Sequence, residues 1–120
     1  MAESILLQPT EYARLAVDAA LDKQASDVLM LDVRGISDFA DFFVLLTADS
    51  KRQLDALAEE IEAALKRQGA SLHHREGNPD SGWVLLDFGD LIVHIFGSEE
   101  REYYRLEQVW SKALQVVRIL

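Results

Sequence analysis

The stretch WVLLDFGDLIVHIF, residues 83–96, carries the strongest prediction about the fold. Two apolar runs flank the Gly89-Asp90 pair, and a Gly-X pair in such a setting is typical of a two-residue type II′ hairpin turn. The turn fixes the register of the hairpin and sets four cross-strand pairs, Phe88 with Leu91, Asp87 with Ile92, Leu86 with Val93 and Leu85 with His94.

This register gives the hairpin two different faces, because side chains alternate across a strand. One face is entirely apolar and is expected to point into the core: Val84, Leu86, Phe88, Leu91, Val93 and Ile95. The other face mixes aromatic, aliphatic and polar groups: Trp83, Leu85, Asp87, Ile92, His94 and Phe96. A mixed face of this kind is typical of a protein-binding surface. The alternative is that a helix of the same chain covers it, with Asp87 and His94 as a satisfied diagonal pair.

The rest of the chain predicts the order α-β-β-α-β-β-β-α. A first helix is expected after Pro9 with Thr10 as its N-cap, and a second from a Ser50–Gln53 capping box to Gly69. The remaining predicted elements are strands over residues 27–35 and 41–48, an edge strand over 71–76, a loop over 77–82 and a third helix capped by Ser98. That helix has an apolar face of Tyr103, Leu106, Trp110, Ala113 and Leu114. The sequence does not decide whether residues 116–120 extend this helix or form a short strand.

These elements indicate an α+β fold in which helices pack on a mixed sheet of about five strands. The chain has 120 residues and no Gly- or Ser-rich linker, so one domain over residues 1–120 is expected. The N-terminus shows neither a signal peptide nor a membrane anchor, and cysteine is absent, which makes a cytoplasmic location the default.

The charge balance bears on the choice of partner. With 21 acidic and 12 basic residues the net charge is −9, which argues against broad binding to DNA or RNA. An acidic surface favours basic partners, although acidity also serves solubility alone.

Candidate reactive groups do not form a recognisable catalytic motif. A metal site of Asp87, Asp90 and His94 has poor geometry, because Asp90 lies in the turn, and His73 and His74 point to opposite faces of a strand. Asp38 and Asp41 lack the glycine–serine context of a nucleotidyl-transfer site. The serines that precede helices two and three suit helix capping, and the chain has no glycine-rich phosphate loop. We therefore expect no metal, no cofactor and no catalysis. A nucleotide-binding or nucleotidyltransferase-like enzyme is the alternative.

Three segments resemble the ribosomal silencing factor (Iojap-like) family in order and spacing: DFFVLLTADSKRQLDALAEEI, EGNPDSGWVLLDFGDLIVHIF and EEREYYRLEQVW. Together they run from Asp41 to Trp110. One departure is the Ala48-Asp49 pair, since the family usually has a glycine between the threonine and the serine before helix two.

The resemblance implies a fold similar to that of nucleotidyltransferases, without their catalytic acids. It implies a translational repressor that acts when nutrients are scarce. Such a protein binds the large ribosomal subunit through the basic ribosomal protein numbered fourteen, at the subunit-joining face, and blocks association with the small subunit. It also implies a homodimer when the protein is free. The expected partner-binding residues are Trp83, Leu85, Asp87, Ile92 and His94, with Asp90, Glu76 and Arg52 at the rim.

Overall fold

The computed structural model describes residues 7–120, which form helices on a single mixed sheet. The elements are α1 (Pro9–Asp22), β1 (Ser26–Asp32), β2 (Phe42–Ala48), α2 (Lys51–Arg67), β3 (His74–Asn78), β4 (Trp83–Asp87), β5 (Leu91–Gly97), α3 (Ser98–Tyr104), α4 (Leu106–Val109) and β6 (Leu114–Ile119). The six strands lie in the order β3-β4-β5-β2-β1-β6, and β2 and β5 run parallel while every other neighbouring pair is antiparallel. The predicted α+β class is confirmed, with six strands instead of about five because the tail forms β6.

The hairpin of β4 and β5 has the predicted register. Asp87 pairs with Ile92, Leu86 with Val93 and Leu85 with His94. The turn closes through the Phe88 N–H, which donates to the Leu91 carbonyl at 2.9 Å. Gly89 has φ +91°, as the first central position of a type II′ turn requires.

The apolar face of the hairpin points into the core as predicted, where it lies under α1 and α2 with only Phe88 partly buried. Both helices present small or aliphatic residues to the sheet, and α1 buries Ala13, Ala16, Val17, Ala19 and Ala20. The short side chains let α1 lie close to the strands, and Leu57 and Ile61 of α2 fill the space beside it.

Helix α1 begins differently from the prediction, whereas α2 begins as predicted and differs in one bond of its cap. Helix α1 starts at Pro9 with Gln8 as its cap, not after Pro9 with Thr10, because Gln8 and Glu11 bond each other reciprocally. For α2 the Gln53 N–H donates to the Ser50 hydroxyl at 3.0 Å as expected. The Gln53 side chain does not return to Ser50; its oxygen accepts from the Asp49 N–H at 2.6 Å. Gly69, with φ +95°, follows the end of α2 as predicted.

The prediction of one long third helix was wrong. Helix α3 ends at Tyr104, Arg105 takes a left-handed φ of +46°, and only the short α4 follows. Leu114 starts β6 instead of extending a helical face, because the last residues pair with β1. Gly97, not Ser98, precedes α3 as its cap residue.

The predicted edge strand and the loop after it are also shifted. Strand β3 starts three residues later than expected and continues through Gly77 to Asn78, into the predicted loop. The continuation is held by pairing with β4, in which Gly77 lies opposite Val84. Only Pro79–Ser81, a single 3₁₀ turn, separates the two strands before Gly82.

Candidate functional site

The mixed face of the hairpin lies over a second, smaller core on the side of the sheet away from α1 and α2. This core joins Phe43, Leu45, Ile92 and Phe96 with residues of β1, and Trp83, Leu85 and Trp110 pack against it. Helices α3 and α4 cover part of this face. The alternative prediction, that a helix of the same chain covers it, is therefore correct in part. Trp83 and Leu85 are only half-buried, which leaves an aromatic and an aliphatic side chain within reach of a partner.

Trp83 is held by contacts on several sides. Its ring lies 4.6 Å from that of Tyr104 and 4.9 Å from that of Phe96, measured between centroids. Its indole N–H donates to Nδ1 of His94 at 3.2 Å. A half-buried tryptophan fixed in one orientation is a preorganised anchor, because little side-chain freedom remains to be lost on binding.

His94 serves this arrangement as a buried acceptor. Its side chain is 6% exposed, and burial lowers its pKa from 6.5 to about 4. The indole is only a donor, so Nδ1 of His94 must carry a lone pair and the imidazole must be neutral, with its proton on Nε2. The Asp87 carboxylate is engaged elsewhere, because its Oδ1 accepts the Gly89 N–H at 2.8 Å. The two residues therefore do not form the diagonal pair considered from the sequence.

A cleft opens beside Trp83 at the β3 edge of the sheet. It has a volume of about 290 Å³ and is lined by Glu76, Gly77, Ser81, Trp83, Leu85 and Tyr104. Gly77 makes the approach of the two strands possible, since a Cβ at this position would lie 2.0 Å from the carbonyl oxygen of Trp83. Glu76 is exposed at the rim, so the cleft combines an aromatic wall with a carboxylate.

The other predicted site residues lie outside this cleft. Asp87 and Asp90 are at the opposite end of the hairpin from Trp83, and Ile92 is buried in the second core. Arg52 is exposed on the first turn of α2, a helix that packs on the other face of the sheet. In the part of the chain that the structure describes, residues 7–120, no three His, Asp or Glu side chains come together as metal ligands would.

Tyr104 is the residue that the sequence prediction missed. The helical pattern selected Tyr103, but Tyr103 is 80% exposed and Tyr104 packs on Trp83. The pattern failed because it assumed a continuous helix through Arg105. A useful signal is the adjacent tyrosine pair itself, since neighbouring residues of a helix point about 100° apart and one of two adjacent rings can therefore face the sheet.

Helix α3 is held over the sheet by a buried arginine. Nη1 of Arg101 donates to the carbonyl oxygen of Asp27 at 2.7 Å and to the Thr47 hydroxyl at 2.9 Å. Carboxylates of Asp27 and Glu107 lie 3.4 and 3.6 Å from the same guanidinium. These contacts link α3 to β1, β2 and α4, and they keep Tyr104 in place against Trp83.

None of the helices within residues 7–120 combines the length and the apolarity that crossing a bilayer requires.

Comparison with known proteins gives consistent matches along the chain. Residues 7–119 match the model of the family described as "Ribosomal silencing factor during starvation". A ribosomal silencing factor of Halalkalibacterium halodurans is 42% identical over 103 residues, which are 86% of this chain and 88% of that protein. A crystal structure of a Chromobacterium violaceum protein superposes with a TM-score of 0.84 at 32% identity, covering 88% of each chain. A mouse protein named for mitochondrial assembly of the large ribosomal subunit is 27% identical over 100 residues, 81% of this chain and 44% of its own.

Proposed function

This chain belongs to the ribosomal silencing factor family, and on that premise we propose that it represses translation by binding the large ribosomal subunit. Bound at the subunit-joining face, through the basic ribosomal protein numbered fourteen, it blocks association with the small subunit by occlusion. The protein acts by binding alone, without catalysis, and it acts on ribosomes in the cytoplasm.

The observation that carries this proposal is the Trp83 anchor beside an open cleft. Tryptophan and tyrosine held in defined pockets supply much of the binding energy in protein interfaces. Glu76 at the rim and the net charge of −9 favour a basic protein as the occupant, through charge complementarity. The name of the mouse relative, which refers to the large ribosomal subunit, supports the choice of subunit.

The first experiment compares Trp83→Ala with the unaltered protein in co-sedimentation with purified large subunits. Loss of the anchor is expected to weaken binding by at least ~2 kcal/mol, about 30-fold. Leu120→Ala is the matched control, because this apolar residue is 86% exposed and three strands separate β4 from β6. Circular dichroism and a urea titration show whether each variant keeps its fold.

The blocking mechanism is tested by adding small subunits to large subunits saturated with the protein. We expect free subunits in a sucrose gradient with the unaltered protein and joined ribosomes with Trp83→Ala. Joined ribosomes in the presence of saturating unaltered protein would contradict occlusion. Equal binding by a folded Trp83→Ala variant would remove the cleft from the interface.

We also propose that the free protein is a homodimer that uses the same cleft. Sedimentation velocity of the free protein reports this directly, and Trp83→Ala should then shift the population toward the monomer. A Trp83→Ala variant that remains fully dimeric would place the dimer contact on another surface.

A further inference from the structure

The cleft at Trp83 is small for a complete protein interface. It is lined by six residues, whereas a stable complex usually buries roughly 800 Å² and involves roughly 20–30 residues on each partner. The partner must therefore contact more of this molecule than the cleft, and the surface around it is the place to look.

We propose that the partner surface continues along the same face of the sheet to a second aromatic anchor, formed by Phe39 and Trp110, and that one basic protein surface occupies both. This inference rests on the proposed function, since it extends the same binding face. It assigns a role to Phe39, which precedes β2 in a loop and is 63% exposed.

The second anchor packs on a buried aromatic side chain. The rings of Phe39 and Trp110 meet edge to face with centroids 6.4 Å apart, and both contact the buried ring of Phe43, at 6.3 and 5.0 Å. Phe39 is thus an exposed aromatic side chain with a fixed base. Such a group loses little freedom on binding and buries a large apolar area.

The two anchors are connected through the core. The ring of Phe43 lies 5.5 Å from that of His94, and His94 in turn lies 5.9 Å from the ring of Trp83 and accepts its N–H. These contacts run along one face of β4, β5 and β2, so the anchors at either end share a rigid support. A single partner meets both without any rearrangement of the sheet.

The charges around the second anchor identify the kind of partner. Asp38, Asp41 and Asp90 lie at this end of the sheet, where the Asp41 N–H donates to the Asp90 carbonyl at 2.8 Å. Across residues 7–120, none of these three carboxylates forms an ion pair with a Lys or Arg. The nearby Arg34 pairs with Asp32 at 2.7 Å and also lies within electrostatic reach of Asp41, so it offsets this acidic charge only in part. An aromatic anchor inside an acidic rim fits a basic protein surface and repels a nucleic-acid backbone.

The test measures binding of variants to purified large subunits. Phe39→Ser is expected to weaken binding at least tenfold, because it removes an anchor ring, and its fold is checked by urea titration. Leu120→Ser is the matched control for an exposed apolar residue at the far edge of the sheet and should bind normally. Trp83→Ala is measured in parallel to monitor the cleft.

A second variant leaves the packing of the second core unchanged. Asp38→Lys changes an exposed residue of the rim and should weaken binding about tenfold at low salt, with a smaller effect at high salt. Asp18→Lys makes the same change of net charge on α1, on the opposite side of the sheet, and should bind normally.

The outcomes separate this inference from the proposed function. Weaker binding by both Phe39→Ser and Asp38→Lys, with normal controls, supports the extended surface. Normal binding by both variants, with loss of binding by Trp83→Ala, overturns the extension and leaves the proposed function in place. Normal binding by all three variants overturns both.

Discussion

Burial of His94 makes a quantitative prediction about stability and pH. Its pKa falls from 6.5 to about 4 in the folded protein because burial disfavours the charged imidazolium. Between these two values the unfolded chain binds a proton that the folded chain does not. The free energy of unfolding therefore has its full value above pH 6.5 and decreases as the pH falls toward 4.

The magnitude follows from the size of the shift. Each pKa unit corresponds to about 1.4 kcal/mol, so the full shift amounts to ~3 kcal/mol, of which about 2 kcal/mol falls between pH 7 and pH 5. Urea unfolding at these two pH values, followed by tryptophan fluorescence, measures the loss. In His94→Gln, which cannot titrate, this part of the pH dependence should be absent even if the variant is less stable overall.

His73 provides the matched control, because its side chain is exposed. The pH dependence of His73→Gln is compared with that of the unaltered chain and of His94→Gln. The same pH dependence in His94→Gln and in the unaltered protein would refute the reasoning. So would an NMR titration in which the His94 ring protonates near 6.5, a measurement that does not require a folded variant.

Two further changes test the supports of the cleft. Arg101→Ala should destabilise the protein by at least about 2 kcal/mol in urea titrations, because the Asp27 carbonyl and the Thr47 hydroxyl lose the charged donor that they share; an effect below 1 kcal/mol would show that these hydrogen bonds are dispensable. Gly77→Ala should cost at least about 2 kcal/mol in the same assay, because the residue has φ +81° and its new Cβ would clash with the Trp83 carbonyl; a variant of unchanged stability would contradict the described approach of β3 to β4.

Local signals in the sequence were sufficient for much of the fold. The Gly89-Asp90 turn determines the register of β4 and β5, since a two-residue loop admits few alignments of the strands it joins. The helical pattern of apolar residues and the N-cap residue Ser50 identified α2. The start of β3 was missed because pairing with β4 sets it, and the break at Arg105 was missed because the helical pattern continues past it.

The parallel pairing of β2 with β5 has no local signal at all. It brings Phe43 beside Ile92 and places Phe39 on the same side as Trp83, which periodicity along a single strand cannot indicate. The candidate site was predicted in part for the same reason. Trp83, Leu85 and Glu76 follow from the hairpin and its neighbouring strand, whereas Tyr104 reaches the cleft only through the placement of α3.

The pairing of β6 with β1 also affects how the chain folds as it is synthesised. Val28 lies opposite Ile119, so the edge of β1 stays open until residues 114–119 have been added. Such long-range pairing slows folding, and an open edge with buried aliphatic residues can associate with other chains. Without residues 114–119 the N–H and C=O groups along this edge of β1 would be unpaired. Pairing with β6 therefore protects β1 from edge-to-edge association with other chains.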